Sequence, residues 1–388
     1  MFSSRVPGEL ALNRLSNAIA GLQAAGRPLL DLTSTNPTTV GIEYPDDCLA
    51  PLAGEAARTY RPEPFGLPAA RRAVAADYAR RGISVADTRV VLTASTSEAY
   101  SLLFKLLCAP DGDQVLVPAP SYPLFDHLTR LDGVTSRPYA LEYHGRWELD
   151  EHTVDDAWTD RTRAVLAVSP NNPTGSVLSE AELAALAARC AARDAALILD
   201  EVFADYEFRE HDLGPGPRST PVALTFRLGG LSKSAGLPQV KLGWLAVEGP
   251  DDLVRGALER LEVICDTYLS VSTPVQIAAP ALIERGGVVR EQIRRRILAN
   301  LEVLRVAAAV DPSVELLDTA GGWSAVLRIP SRHTEEDVVV DLVQACGTLV
   351  HPGFFFDFPR EAFLVFSLLP APSVFAEGVG RVLEHLRG

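Results

Sequence analysis

The sequence predicts an α/β fold, with a three-layer αβα large domain around a mostly parallel sheet and a smaller α+β domain. Two observations lead to this prediction. In the middle of the chain, short apolar runs without polar alternation, such as "QVLVPAP" and "RAVLAVSP", alternate with helical patterns. Such runs are typical of strands buried on both faces of a parallel sheet. Beyond about Gly286 this alternation ends, and helices and strands follow in a different rhythm.

The individual elements follow from the same patterns, in chain order. "RVVLTA" is predicted to be a strand and "SEAYSLLFKLLCAP" a helix, and "QVLVPAP", "RAVLAVSP", "AALILDEVF" and "KLGWLAV" are predicted to be further strands. Ser179 and Glu182 have capping-box spacing at the start of the helix "SEAELAALAARCAARD". Near the end of the chain, "VVREQIRRRILANLEVLRVAAAV" and "TEEDVVVDLVQACG" read as helices, with strands in "GGWSAVLRIP" and "FLVFSLLP" and a final helix.

These patterns divide the chain into three parts. Residues 1–45 lack the alternation of strand and helix and are predicted to form an N-terminal arm with a substrate loop that packs with the small domain. Residues 46–285 are predicted to form the large domain. Residues 286–388 are predicted to form the small C-terminal α+β domain.

Composition narrows the class of protein. The chain has 388 residues, 47% of them hydrophobic, and a mean hydropathy of +0.10, as in an ordinary soluble globular protein. A net charge of −14 disfavours nucleic acid or an anionic membrane as a partner. Five cysteines without CxxC spacing indicate reduced thiols, and no signal-like or membrane-spanning segment is apparent. We therefore expect a cytoplasmic protein, and no metal site is predicted.

The residues that follow the strands are the first place to look for a site, because ligands bind outside the carboxyl ends of strands in such sheets. Ser95, Thr96 and Ser97 follow the first strand and open a helix. Hydroxyls and free N–H groups at a helix N-terminus suit a phosphate, although a simple N-cap cluster is the alternative. Neither a dinucleotide fingerprint nor a P-loop is present.

Three further strand ends carry polar groups. Tyr122 follows "LVPAP", Asn172 lies in "NNPTG", and Asp200 ends "ALIL". A packing tyrosine and an ordinary turn are the alternatives for the first two. Asp200 is expected to be partly buried and therefore to need a cationic partner or several donors. Lys233, within "GGLSKSAGLPQVKLGW", is one such partner, although a solvated surface loop is the alternative there.

Pyridoxal phosphate requires each of these groups. A lysine must lose its proton to attack the aldehyde, so it must be desolvated or lie near positive charge. A carboxylate must face the pyridine nitrogen and keep it protonated, so that the ring accepts electrons. The phosphate needs hydroxyls and a helix N-terminus, a flat side chain must cover the ring, and a donor must reach the 3′-oxygen.

The ordered set "Y-x-P…G", "TASTSEA", "P-S-Y-P", "NNPTG", "LDEVF" and "LSKSAG…KLGW" resembles the class I/II aminotransferases of fold type I, the aspartate aminotransferase superfamily. The resemblance runs from "LTSTNPT" to "FSLLP", nearly the whole chain. It implies that Lys233 forms the Schiff base with pyridoxal phosphate and moves the proton. It also implies that Asp200 faces the pyridine nitrogen, Asn172 binds the 3′-oxygen and Tyr122 stacks on the ring.

The same resemblance implies the remaining contacts. The phosphate would be held by a set of hydroxyls and one cation: Ser95, Thr96, Ser97, Ser232 and Lys241. Lys241 stands where the family usually has an arginine, so the charge is kept and the bidentate fork is lost. Tyr60 matches a tyrosine that reaches the cofactor of the neighbouring subunit, which implies a homodimer with shared active sites. Thr35 and Asn36 would lie in the substrate loop.

Two positions depart from the family pattern. Phe203 replaces a tyrosine that donates a hydrogen bond to the 3′-oxygen. The loss of this hydrogen bond is expected to raise the pKa of the Schiff base. Val365 replaces the arginine that binds the substrate α-carboxylate. Either another donor takes the carboxylate, with Arg5, Arg14 and Arg328 as candidates, or the substrate has none there. Near the motifs, three other side chains are interpreted as surface or structural groups: Arg61, Arg227 and His351.

Three functions are compatible with these residues. The first is an aminotransferase that moves an amino group between an amino acid, with a neutral side chain favoured, or a related amine and a 2-oxo acid. The second is a lyase or other specialised pyridoxal-phosphate enzyme on the same scaffold, since a fold does not determine the reaction. The third is a non-catalytic protein that binds the cofactor. The first two involve only small molecules as partners.

Overall fold

The computed structural model describes residues 2–8, 12–110, 112–208 and 221–387. Its helices are α1 Arg14–Ala24, α2 Pro68–Arg80, α3 Thr96–Leu107, α4 Phe125–Leu131, α5 Glu151–Ala157, α6 Glu180–Ala192, α7 Leu231–Ser234, α8 Asp251–Tyr268, α9 Thr273–Ala309, α10 Glu335–Asp341 and α11 Pro372–Arg387. Its strands are β1 Leu30–Asp31, β2 Val90–Thr93, β3 Gln114–Ala119, β4 Thr135–Tyr143, β5 Trp147–Leu149, β6 Thr162–Val168, β7 Ala196–Asp200, β8 Thr225–Gly230, β9 Gly243–Glu248, β10 Glu315–Leu316, β11 Ser324–Arg328, β12 Thr348–Leu349, β13 His351–Pro352 and β14 Phe363–Ser367.

The larger sheet has eight strands in the order β2-β9-β8-β7-β6-β3-β4-β5. The five central strands, from β8 to β4, run parallel, and β9, β2 and β5 add antiparallel pairs at the two sides. Both faces are apolar. Val115 and Val117 of β3 pack towards α3 and α8, whereas Leu116 between them packs towards α5 and α6. The predicted three-layer αβα arrangement with a mostly parallel sheet is therefore confirmed.

A second sheet of four antiparallel strands lies in the C-terminal part, in the order β10-β11-β14-β13. Leu327, Leu364 and Phe366 point from one face of this sheet into a core that includes residues of α9, α10 and α11. Leu22 and Leu32 from the N-terminal arm belong to the same core, and β1 pairs in parallel with β12. The smaller α+β unit is therefore present.

Helix α9 is longer than the sequence predicts. The predicted helix begins at Val288, but α9 begins at Thr273 and is 37 residues long. The sequence does not predict the first half of α9, because Pro280 and the Gly286–Gly287 pair disfavour a helix interior. A Cβ on Gly286 would lie 2.4 Å from the Cβ of Ala235, so glycine lets α9 approach the segment that carries Lys233. Position 285 falls inside this helix, and the division at residues 45 and 285 stays a prediction.

The capping box that begins α6 is confirmed. The Ser179 hydroxyl accepts a hydrogen bond from the Glu182 amide at 3.2 Å, and the Glu182 carboxylate accepts one from the Ser179 amide at 2.8 Å. Helix α6 packs under β6 and β7 and so supports the strand that ends at Asp200. Within the described part of the chain, no helix is long and apolar enough to cross a membrane.

Candidate active site

Lys233 and Asp200 are brought together by the pairing of two parallel strands. Strand β7 ends at Asp200, which pairs with Leu228 of β8. Strand β8 ends at Gly230, and the short helix α7 that follows it carries Lys233. Because both strands point the same way, their carboxyl ends meet at one edge of the sheet. The two side chains interact electrostatically there, as the sequence predicts for neighbouring strand ends.

The amine of Lys233 lies next to two aromatic rings. Its Nζ is 4.8 Å from the ring centroid of Trp323 and 5.5 Å from that of Phe203. The side chain is partly exposed, but burial of the amine lowers the pKa of Lys233 to about 8, against the opposing effect of Asp200. An amine with such a pKa is partly neutral near physiological pH, and only the neutral form is a nucleophile. Trp323 was not predicted to be a site residue, and "GGW" before a strand is a weak signal.

Asp200 is buried and holds two hydrogen bonds. The Tyr100 hydroxyl donates to Oδ2 at 2.5 Å, and the Val202 amide donates to Oδ1 at 3.0 Å. Burial raises the pKa of Asp200 to about 6, and the Tyr100 hydrogen bond is the largest effect that opposes the rise. The carboxylate is therefore oriented, and it is ionised at neutral pH.

The asparagines of "NNPTG" have different roles. Asn171 is buried, accepts from the Ser121 hydroxyl at 2.5 Å, and donates to the carbonyl of Pro120 at 3.0 Å. It thereby joins the loop after β6 to the loop after β3, which carries Tyr122. The adjacent Asn172 is partly exposed, and its Oδ1 lies 3.4 Å from the Ser324 hydroxyl. Sequence reasoning named Asn172 and missed Asn171.

Three of the residues predicted to hold a phosphate, Ser95, Thr96 and Ser97, form the N-terminus of α3. Ser95 is the N-cap, and its hydroxyl accepts from the Glu98 amide at 3.1 Å. A Cβ on Gly243 would lie 2.9 Å from the carbonyl carbon of Ser95 and 3.1 Å from the Thr96 nitrogen, so only glycine lets β9 approach this helix end. Lys241 is exposed two residues earlier in the same segment. Hydroxyls, first-turn N–H groups and a cation form a donor set that fits a phosphate.

Three side chains hold the backbone around Lys233. The carbonyl of Lys233 accepts from the Tyr206 hydroxyl at 2.8 Å, that of Ser234 from the Arg290 guanidinium at 2.8 Å, and that of Gly236 from the Tyr44 hydroxyl at 2.6 Å. Arg290 in turn belongs to an ionic cluster with Asp77, Arg80 and Asp205. The sequence offers no local signal for these contacts, because each joins residues far apart in the chain.

Some predicted residues lie apart from this cluster in the described contacts. Tyr60 is 69% exposed and lines a cavity of about 260 Å³ with Arg61 and Tyr268. Thr35 and Asn36 are exposed, and the Asn36 side chain accepts from the Thr38 amide at 3.1 Å, so it caps a local turn.

Val365 lies in an apolar part of the small sheet. It is buried in a cluster that includes Leu317, Phe356, Phe358 and Phe363. In the register of the sheet, Val365 pairs with Val326 on one side and with His351 on the other. Paired residues point to the same face, and Ser324, which contacts Asn172, shares it.

The three candidate arginines are all engaged elsewhere. Arg14 pairs with Glu336 at 2.9 Å and Asp337 at 2.8 Å, and Arg5 donates to the Leu131 carbonyl at 3.1 Å. Arg328 pairs with Glu315.

Among the side chains interpreted as surface or structural groups, Arg227 is buried and pairs with Glu201 at 2.7 Å, a structural role. His351 is partly buried against the rings of Phe355 and Phe356. Burial lowers the pKa of His351, while Asp31 opposes this shift. Val326, Val365 and His351 are paired across three neighbouring strands, and of these three residues His351 is ionisable.

A lysine of lowered pKa beside a buried aspartate, at the carboxyl ends of a mostly parallel sheet, is a candidate active site of an α/β enzyme. Residues 43–371 match the family model "Aminotransferase class I and II". The chain belongs to this family and is a transaminase.

Relatives and a solved structure agree with this membership. An alanine aminotransferase of Mycobacterium tuberculosis is 28% identical over 379 residues, which cover 95% of this chain and 87% of the relative. A glutamate-pyruvate aminotransferase of Haemophilus influenzae is 26% identical and covers 94% and 92% of the two chains. The structure of an alanine aminotransferase from Pyrococcus furiosus superimposes with a TM-score of 0.89 at 22% identity, over the full length of both chains, and shows the same fold.

Replacing Lys233 by methionine should stabilise the cofactor-free protein at neutral pH. The pKa of Lys233 is about 8 in the native state and has the ordinary value of 10.5 in the unfolded chain. Between pH 8 and pH 10.5, Lys233 is therefore protonated in the unfolded chain and neutral in the native state. The cost of burying the charge is therefore present below about pH 8 and disappears as the pH rises to 10.5. At pH 7 the gain should be about 3 kcal/mol.

Urea unfolding of both proteins at pH 7 and pH 10 measures this difference. The stability advantage of Lys233→Met should shrink at the higher pH. Lys241→Met, which changes an exposed lysine, is the control and should change little at either pH. An advantage that is the same at both pH values would contradict the burial argument.

Proposed function

We propose that the protein moves an amino group between an amino acid with a neutral side chain and a 2-oxo acid, using pyridoxal phosphate bound through Lys233. One observation carries the proposal: the Lys233 amine lies next to the rings of Trp323 and Phe203 and interacts with buried Asp200. With a pKa of about 8, a minor fraction of this amine is neutral and nucleophilic at pH 7, a larger fraction than for an ordinary lysine. A surface lysine would remain charged and inert.

The residues of the candidate site fit each part of the cofactor. Asp200 would face the ring nitrogen, Tyr122 would cover the ring, and Asn172 would reach the 3′-oxygen. The phosphate would lie at the N-terminus of α3 among the following groups: Ser95, Thr96, Ser97, Ser232 and Lys241. When bound, the cofactor supplies an electron sink for the carbanion of the substrate.

This chain's own residues would manage the proton. The Lys233 amine, with a pKa of about 8, can take a proton from the substrate carbon and return it, as general base and then general acid. Asp200, ionised above its pKa of about 6, would hold a proton on the ring nitrogen. Phe203 supplies a ring and no hydroxyl, so the 3′-oxygen would have one donor fewer than in the family pattern.

Borohydride reduction tests the attachment site. The purified protein incubated with pyridoxal phosphate should turn yellow, and reduction should leave the cofactor mass on the peptide that contains Lys233. Lys233→Ala should show no such adduct, whereas the control Lys241→Ala should keep it. An adduct on Lys241 of the wild-type protein, or none at all, would reject the assignment.

We propose that the substrate has a neutral side chain because a side-chain carboxylate would need a cation of its own, in addition to the group that binds the α-carboxylate. Val365 belongs to a buried cluster of apolar side chains. Arg328 on the same face is paired with Glu315. No second cation for a side-chain carboxylate is apparent among the described residues of this face. The name of the Mycobacterium tuberculosis relative, an alanine aminotransferase, supports a small neutral donor, whereas that of the Haemophilus influenzae relative includes glutamate, whose side chain is acidic.

A substrate panel measures the consequence of Val365. A bidentate arginine–carboxylate pair contributes roughly 1.5–3 kcal/mol, and valine offers none of it. Steady-state kinetics with alanine, its decarboxylated amine ethylamine, aspartate and glutamate should give high Michaelis constants throughout, with aspartate the poorest substrate. Micromolar Michaelis constants for aspartate or glutamate would contradict the proposal.

A homodimer with shared active sites is proposed from the position of Tyr60. The side chain is 69% exposed, and Leu49, Tyr268 and Leu269 are also large apolar groups with exposed surface. An exposed tyrosine next to other apolar groups suits burial against a second copy. By the family resemblance, Tyr60 would then reach the phosphate bound by the partner subunit.

Complementation tests the shared site. Lys233→Ala and Tyr60→Phe chains should each have low activity, and mixed dimers should recover activity because one of their two sites contains neither change. The control is a mixture of Lys233→Ala with Asp200→Ala, whose changes fall in the same site of each subunit and should leave no intact site. Heterodimers no more active than their parents would refute shared sites.

The lyase alternative has less support, because both relatives named above are transaminases. A non-catalytic cofactor-binding protein is the least favoured reading, since a lysine and an aspartate suited to catalysis are both present. We also propose a cytoplasmic location. The five cysteines are all free, which suits a reducing compartment.

A further inference from the structure

We infer that Tyr100 is a positioning residue of the proposed cofactor site: its hydroxyl holds the Asp200 carboxylate, and its ring supports Tyr122 through Phe125. The inference rests on the proposed function, because both supported groups are assigned to the cofactor there. Tyr100 is buried and is assigned no contact with the cofactor itself.

The hydroxyl contact is direct. Tyr100 is 2% exposed, and its Oη donates to Asp200 Oδ2 at 2.5 Å. The other oxygen, Oδ1, accepts from the Val202 amide at 3.0 Å. Because each carboxylate oxygen has its own donor, the plane of the carboxylate is fixed. A short hydrogen bond between two buried groups also has little competition from water.

The ring contacts continue to the other side of the site. Tyr100 meets Phe125 edge-on with centroids 5.6 Å apart, and Phe125 meets Tyr122 edge-on at 5.5 Å. Edge-to-face pairs at such distances are attractive and directional. Asp200 and Tyr122, which would contact the ring nitrogen and the ring face, are therefore connected through one row of aromatic side chains.

Helix α3 adds a third connection. Thr96, at its N-terminus, is one of the proposed phosphate donors, and Tyr100 follows four residues later, on the same side of the helix. A shift of α3 would therefore move the phosphate donors and the Asp200 partner together. Through Tyr100, helix α3 would set the distance between the groups at the phosphate end and those at the ring nitrogen of the cofactor.

The electrostatic consequence has a definite sign. Burial and Glu201 favour the protonated form of Asp200, whereas the Tyr100 hydroxyl, the Val202 amide and Lys233 favour the ionised form. Tyr122 also faces this carboxylate. Removing the Tyr100 hydroxyl leaves burial and Glu201 with less opposition, so the pKa of Asp200 rises. The carboxylate that the ring nitrogen requires would then be populated only at higher pH.

Tyr100→Phe removes the hydroxyl and keeps the ring, and Tyr139→Phe is the matched control. Tyr139 is also fully buried, but its hydroxyl donates to the Leu166 carbonyl in a different part of the core. Fluorescence titration of the full-length cofactor-free chain with pyridoxal phosphate should give a dissociation constant at least about fivefold higher for Tyr100→Phe at pH 7. As the pH is lowered, the affinity of Tyr100→Phe should begin to fall at a higher pH than that of the wild type. Tyr139→Phe should match the wild type in both measurements.

A double-mutant cycle separates positioning from packing. If Tyr100 acts through Asp200, adding Tyr100→Phe to Asp200→Asn should change the dissociation constant by less than about twofold. Losses that multiply instead would mean that Tyr100 affects the site only through packing, and would overturn the inference. So would a Tyr100→Phe affinity equal to that of the wild type.

The two proposals fail in distinguishable ways. If the wild-type chain binds no pyridoxal phosphate, the proposed function falls and the role of Tyr100 falls with it. If the wild type binds the cofactor at Lys233 and Tyr100→Phe binds it equally well, only the role of Tyr100 is wrong. Thermal unfolding of both phenylalanine variants measures whether a general loss of stability accounts for the change.

Discussion

The pairing of β7 with β8 is the constraint on which the site depends. Asp200 pairs with Leu228, so the end of β7 and the short helix after β8 lie side by side. Slipping this register by one residue would turn the Asp200 side chain to the opposite face of the sheet. Helix layers pack on both faces of β7, with Ile198 in the cluster on one side and Leu197 and Leu199 in the cluster on the other, and this packing holds the strand in place. The chemistry therefore depends on a large core that contains none of the reacting groups.

The positions of Lys233 and Asp200 could be predicted because each stands next to a continuous apolar run or a glycine-rich turn. Trp323 and Tyr100 could not, since their importance comes from contacts between residues far apart in the chain. Strand β8 was also missed, because Arg227 interrupts its apolar pattern. Its guanidinium is nevertheless buried, paired with Glu201 and Glu248. A buried ion pair thus resembles a surface residue when only the sequence is known.

The small sheet has two faces with different roles. One face completes the core with α9, α10 and α11. The other carries Ser324 beside Asn172, then the row of Val326, Val365 and His351. Sequence alone showed that an arginine is missing from this row. It could not show that His351 is the neighbour of Val365, because cross-strand register follows from the fold.

The two aromatic rings next to Lys233 also have an optical consequence. Trp323 is buried, and its ring lies 4.8 Å from the amine that would carry the cofactor. A conjugated ring attached there would be close enough to quench the indole directly and to accept its excitation energy. The emission of Trp323 would thus fall as the site is occupied. The intrinsic tryptophan fluorescence of the protein would therefore report the fraction of sites that hold the cofactor.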